Sequence, residues 1–143
     1  MPSLEELQQE GWIKAEAVSR QEIALVLERA REEASAAQKL FNDFPSPAYE
    51  LAYNAMLLAV TALLYADGYR ARVERHHKTL TEFAEARLGA THASLVAEFE
   101  RAQRRRHQTT YGQIKATRQE AGHLVKKAWQ LLEVIEQQMA TDQ

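Results

Sequence analysis

Seven apolar residues in the first third of the chain, Ile23, Leu27, Ala30, Ala34, Ala37, Phe41 and Phe44, follow one another at steps of four, three, four, three, four and three. Only an α-helix returns side chains to one face at that interval, and the unbroken alternation makes a seam for a second helix. The alanines in its middle allow a close approach. The seam opens behind Ser19-Arg20-Gln21-Glu22, which has capping-box spacing, and stops at Asp43-Phe44-Pro45. With five glycines and three prolines in 143 residues, the chain has little material for turns, so long helices and short connections are expected throughout.

Ser46 is the expected cap of the next helix, with Pro47 at its first position, where a missing N–H costs nothing. This helix, ending near Asp67 and closed by Gly68, is apolar nearly all round through Leu51, Tyr53, Met56, Leu57, Val60, Leu63 and Leu64. A helix without a polar face is usually the most buried one. Residues 69–75 read as a polar loop and residues 78–88 as a short helix closed by Gly89. A further helix covers about 93–110, with Leu95, Val96, Phe99 and Ala102 on one stripe and a break at Gly112. Thr117-Arg118-Gln119-Glu120 is a second capping box, opening a last helix that buries Ala121, Leu124, Val125, Ala128, Leu131, Leu132, Ile135 and Met139. Ahead of all this, residues 4–11 make a short lead-in helix, followed by a linker holding Trp12 and Ile13.

Short loops between long amphipathic helices produce antiparallel neighbours. The expected fold is therefore all-α, an up-and-down four-helix bundle with one short additional helix. Residues 1–18 form a lead-in segment and residues 19–140 the bundle domain.

Composition narrows the function. The chain has no cysteine, which excludes a disulfide framework and a thiolate metal site. Its start, Met1-Pro2-Ser3-Leu4-Glu5-Glu6, lacks the basic-then-apolar layout of a signal peptide. Residues 51–66, the most apolar run, are interrupted by Asn54 and Thr61 and fall short of the ~20 residues that cross a bilayer. A cytoplasmic protein without a membrane span is expected. A formal net charge of −2 excludes a globally basic nucleic-acid binder, so any anion site has to be local. Two Glu-x-x-His pairs occur, Glu74/His77 and Glu120/His123, a spacing used by di-iron bundles. On a helix wheel, however, Glu120 falls about 80° and His123 about 140° from the centre of the last apolar stripe, and neither points firmly inward. Glu74 lies in the loop. No metal and no cofactor are expected.

The strongest concentration of functional side chains is Arg104-Arg105-Arg106-His107 with Tyr111, at the end of a helix. With Leu95 at the origin of the wheel, Arg104 falls at about 180°, His107 at about 120° and Tyr111 at about 160°, all on one flank of the apolar stripe. The helix dipole favours cations at such an end by about a few tenths of a kcal/mol each. Three arginines followed by an imidazole and a phenol exceed what capping requires, and suit phosphate or RNA. His76-His77-Lys78-Thr79 opens the short helix, where polarity is ordinary but where His77 and Lys78 could also join an anion site. Asn54, inside the apolar run, needs hydrogen-bond partners. It either bonds a neighbouring helix or lies beneath a polar cleft.

In Ala52-Tyr53-Asn54-Ala55-Met56-Leu57-Leu58-Ala59-Val60-Thr61-Ala62-Leu63-Leu64, Asp67-Gly68-Tyr69, His77-Lys78-Thr79-Leu80 and Arg104-Arg105-Arg106-His107-Gln108-Thr109-Thr110-Tyr111, together with the order of the helices, the chain resembles the HEPN domain family. The resemblance extends from about Trp12 to Ile135. It implies a small all-helical homodimer with a cleft between paired bundles. Active members are metal-independent ribonucleases, several of them toxins paired with a nucleotidyltransferase-type antitoxin. Their motif is an arginine, four to six residues, then a histidine, often with a polar residue directly after the arginine.

Two registers fit that motif. In one, Arg101 and His107 are the pair, although Ala102 follows the arginine and Arg101 lies about 120° around the helix from His107. In the other, Arg106 is the motif arginine, His107 its polar follower, and Tyr111 stands where the histidine is expected; this register fits the helix end better. Cleaving RNA without metal needs a proton acceptor for the 2′-hydroxyl, a donor for the leaving oxygen and a cation on the phosphorane. A histidine, ordinarily near ~6.5, moves protons at neutral pH, and a tyrosine, near ~10, does so poorly. If His107 is the base, Arg101 or Arg104 stabilises phosphate and Tyr111 orients the substrate. If Tyr111 has replaced it, RNA or nucleotide is bound and turnover is slight. The expected site therefore has His107, Arg101 and Tyr111 as catalytic candidates. Arg104, Arg105, Arg106, His77, Lys78 and Asn54 are the candidates for binding RNA or nucleotide. The partner implied by the resemblance is a second copy or a nucleotidyltransferase.

Overall fold

Four long helices and one shorter one enclose the core, in a computed structural model that describes residues 1–112 and 114–142. In chain order the elements are α1 (Leu4–Gln9), β1 (Ile13–Ala15), α2 (Arg20–Leu40), α3 (Pro45–Ala66), β2 (Tyr69–Ala71), α4 (His76–Leu88), α5 (Ala93–Thr110) and α6 (Arg118–Thr141). A single 3-10 turn, Ala90–His92, leads into α5.

α3 is the central helix and packs against α2, α4, α5 and α6. Its length and composition would suit a membrane span, but 72% of its most apolar window is buried inside the fold, which makes it a core helix. The seam of α2 meets it through Leu27, Ala30, Ala34 and Ala37, all buried. On the other side Val96, Phe99 and Ala102 of α5 and the apolar stripe of α6 from Ala121 to Ile135 complete the core.

The caps explain the boundaries. Thr117 closes a full capping box: its hydroxyl accepts from the Glu120 N–H at 3.1 Å, and the Glu120 carboxylate accepts from the Thr117 N–H at 2.9 Å. Ser19 closes only half of one. Its hydroxyl accepts from the Glu22 N–H at 3.1 Å, while the Glu22 carboxylate turns away to Arg70, 3.0 Å distant. Ser46 is not the cap that its position suggests. α3 starts one residue earlier, at Pro45, with Phe44 in the cap position and no side-chain cap. The Ser46 hydroxyl instead accepts the Ala116 N–H at 3.0 Å, tying the start of α3 to the connection before α6. Phe44 itself is 58% exposed, because α2 ends at Leu40 and the helical seam does not reach it.

The linker at Trp12–Ile13 and the loop after α3 are also not irregular. β1 and β2 form an antiparallel ribbon with Ile13 opposite Ala71, Lys14 opposite Arg70 and Ala15 opposite Tyr69. Bonds from the Glu16 N–H to the Gly68 carbonyl at 2.9 Å and from the Arg72 N–H to the Trp12 carbonyl at 3.0 Å extend it at both ends. Gly68, at φ +92°, supplies the left-handed turn from α3 into β2. Arg75 and Arg72 lie over the Trp12 ring at 4.4 and 5.4 Å. Leu7 and Ile13 are fully buried in the common core, and α1 rests on α4, so the first eighteen residues help to build the body of the fold.

Candidate nucleic-acid interface

The run Arg104-Arg105-Arg106 is divided by helical rotation among three surroundings. Arg104 is exposed and pairs with Glu100 one turn back at 2.6 Å. Arg105 turns toward α6, where its guanidinium donates to Glu120 at 2.9 Å and to the Lys115 carbonyl at 3.3 Å. Its side chain is 21% exposed, so it is a strut between α5 and the start of α6. Arg106 turns toward α3, its guanidinium 5.8 Å from the centre of the Tyr53 ring. Among the described residues no carboxylate pairs with it.

Arg104, Arg106 and His107 line one open hollow of about 530 Å3 with Gln103, Gln108 and, from the first turn of α4, His77. The His107 ring is exposed and sits 4.8 Å from that of Tyr111, which is 69% exposed just beyond the helix end. Imidazole and phenol thus form an aromatic pair, of which His107 lines the hollow and Tyr111 lies behind it. Glu120 does not reach this hollow. Its carboxyl is raised by burial but brought below its ordinary value by the Thr117 N–H and the Arg105 guanidinium.

His77 is the inner member. Its Nδ1 lies 2.6 Å from the Tyr53 hydroxyl, and its ring meets that of Tyr53 end to end, nearly parallel at 12° with centres 5.7 Å apart. Tyr53 is buried and stacks on Phe99. Burial, then the Arg106 charge and the neighbouring His76, push the His77 imidazole below its ordinary value, which favours its neutral form. Burial pushes the Tyr53 phenol far above its own. Tyr53, which the sequence marks only as a core residue, reaches the edge of this hollow through its bond to His77. The signal for it was the phenol itself: a buried tyrosine hydroxyl needs a partner, and the nearest polar segment is the start of α4.

The remaining candidates lie elsewhere. Arg101 pairs with Glu98 at 3.0 Å, and both line a separate hollow of about 300 Å3 between α5 and α6 with Tyr49, Glu120 and His123. Arg101 and His107 therefore face different hollows. In the second hollow His123 lies 3.1 Å from Glu98, and burial, followed by the nearby Glu120, raises the Tyr49 phenol to about 12. Lys78 is exposed on α4 and is not among the residues lining the larger hollow. Asn54 faces α2, its amide donating to the Glu33 carboxylate at 2.6 Å, which fixes the two seam helices against each other. Glu74 lies near Arg72 at 3.4 Å, outside both hollows.

The larger hollow thus combines one guanidinium without a carboxylate partner among the described residues, one exposed and salt-bridged guanidinium, a half-buried imidazole, an open imidazole and two amides. Cations and N–H donors in that number suit the oxygens of a phosphodiester, and the aromatic pair suits a base. The family model described as HEPN domain matches residues 23–138 of the chain. No curated protein matches it in sequence.

Proposed function

The chain belongs to the HEPN domain family, and from that premise we propose that it binds single-stranded RNA through the hollow lined by His77, Arg104, Arg106 and His107, with little or no turnover. Arg106 carries the reading. A guanidinium half-buried against a tyrosine face, with no carboxylate partner among the described residues, has its charge available to an incoming anion. Arg104, tethered to Glu100 by an exposed one-turn pair, can exchange that carboxylate for phosphate at little cost. The His107–Tyr111 pair offers a stacking surface next to the cations. Chain charge is consistent with a local site, since the protein as a whole is slightly acidic.

Slight turnover is expected because Arg106 lines this hollow and Arg101 does not, which favours the register with Tyr111 in the place of the motif histidine, and a phenol moves protons poorly at neutral pH. Arg101 is engaged with Glu98 in the other hollow, which leaves the Arg101–His107 pairing without its arginine. The direct test is fluorescence anisotropy with a labelled single-stranded oligoribonucleotide over a series of salt concentrations. Arg106→Ala should weaken binding roughly tenfold, as expected for loss of one charge-assisted hydrogen bond, and reduce the log–log salt slope by about 0.7. Wild-type affinity and slope in this variant would refute the assignment.

A second reading, metal-independent cleavage with His107 and Arg104, is favoured by one observation: imidazoles from two helices line the same hollow. Cleavage of single-stranded RNA in EDTA that disappears in His107→Ala would establish it. The homodimer and a nucleotidyltransferase-type partner belong to the same proposal. Sedimentation of the isolated chain at twice the monomer mass supports the first, and a stable complex on co-expression supports the second.

A further inference from the structure

We propose that Tyr53 is a positioning residue, whose buried hydroxyl donates to Nδ1 of His77 and so fixes that imidazole with its proton on Nε2, as a neutral donor to a phosphate oxygen in the hollow. The inference rests on the reading that this hollow binds phosphate, and it identifies what His77 does there.

Hydrogen accounting leads to this tautomer. The Tyr53 hydroxyl and Nδ1 are 2.6 Å apart, and one proton lies between them. If that proton belonged to Nδ1, the phenolic hydrogen would need another acceptor, and among the described residues Tyr53 has none. A buried donor would then stay unsatisfied, which native structures avoid. If the proton belongs to the phenol, every group is satisfied: the hydroxyl donates, Nδ1 accepts, and Nε2 on the far side of the ring keeps its hydrogen. The phenol cannot swing away, because its ring is buried in the core against Phe99, 5.7 Å distant. Both groups keep the protons this requires, since burial favours the neutral form of each and the Arg106 charge further disfavours an imidazolium.

The consequence for the site is a division of labour. Arg104 and Arg106 supply charge, while His77 supplies direction: a neutral N–H on a ring clamped from behind adds a hydrogen bond without adding a third cation. A ring whose outer nitrogen already bears hydrogen cannot accept one there, so proton transfer, where any occurs, falls to His107.

Ring-nitrogen NMR of the histidines and anisotropy with a fluorescein-labelled oligouridylate test this together. The wild-type protein should show the Nε2–H form for His77. Tyr53→Phe, which keeps the ring stack, should show mixed tautomers and bind the oligouridylate about three- to tenfold more weakly. His77→Ala should lose a similar factor, and the double variant no more than either alone, since both remove the same contact. An Nδ1–H form in the wild-type protein would overturn the proposal, whether or not Tyr53→Phe folds. So would a folded Tyr53→Phe with wild-type affinity. If Arg106→Ala weakens binding while Tyr53→Phe does not, only this proposal is lost; if neither does, the phosphate reading is lost as well.

Discussion

Arg105 and Arg106 are neighbours in sequence, yet the structure assigns them opposite duties, and replacing each by alanine separates stability from binding. The Arg105 guanidinium is largely enclosed and donates to Glu120 at 2.9 Å and to the Lys115 carbonyl at 3.3 Å. Exposed ion pairs contribute about 0–1 kcal/mol, whereas removing one partner of a buried pair costs about 3–5 kcal/mol. At 21% exposure, and with Glu120 keeping its bonds to Thr117, Arg105→Ala should cost about 1–2 kcal/mol. In a domain of this size that lowers Tm by roughly 3–8 °C. Arg106→Ala removes no ion pair among the described residues and gives up only the contact with the Tyr53 ring, about 0.5–1 kcal/mol, so Tm should fall by no more than about 4 °C. RNA affinity should move the other way: roughly tenfold weaker in Arg106→Ala, and unchanged in Arg105→Ala once measured below its melting range. Thermal melts followed by circular dichroism, paired with anisotropy on the same preparations, read both quantities. Loss of affinity in Arg105→Ala with an unaltered Tm would show that the rotation of this helix end has been read wrongly.

Ser46→Ala should cost about 1 kcal/mol in urea denaturation, because the Ala116 N–H loses its acceptor while α3 keeps its start at Pro45. Arg87→Met should cost about 2 kcal/mol, since this half-buried guanidinium joins α4 to Asp67 at 2.7 Å, to Gln138 at 3.1 Å and to Asp142. Acid should act in two stages. The lowered His77 contributes stability present above about pH 6.5 and lost as pH falls toward its folded value, because the unfolded chain binds the proton more tightly. The lowered Glu98 and Glu120 contribute stability present above about pH 4.5 and lost below it. Urea midpoints measured from pH 7.5 to 4 should fall in both windows, and His77→Gln should flatten the first alone.

The periodic helices were legible because their signals are local and repeated. The Thr117 box and the α6 stripe from Ala121 to Ile135 appear in the structure as the sequence spelled them, while Met139 at the end of the stripe is only partly buried. The ribbon was not legible. Strands of three residues are too short to show alternation, and their partner lies across α2 and α3 in the chain. Ser46 misled for a different reason: two prolines flank it, and Pro45 starts the helix with its own fixed backbone angle, which frees the serine for a distant amide.

The candidate site was half legible. The cationic run marked the helix end that lines the hollow, but composition treated three arginines as one cluster. The wheel that starts at Leu95 puts Arg106 at about 20°, almost at the centre of the apolar stripe, and Arg105 near 280°. An arginine aimed at the core is the one that must find an aromatic face or a buried partner, and Arg106 finds Tyr53. His77 was visible as a polar helix start. Its bond to Tyr53 depends on α4 crossing α3, which no local pattern encodes.

The ribbon has a practical consequence for anyone shortening the protein. Cutting at the limits of the family match, residues 23–138, discards the Leu7 and Ile13 side chains from the interior and strips β2 of its hydrogen-bonded edge. It also uncovers the arginines stacked on Trp12, only a few positions ahead of the turn that presents His77. A trimmed version should therefore aggregate more readily and hold its imidazole less firmly, although every catalytic or binding candidate would still be in the sequence.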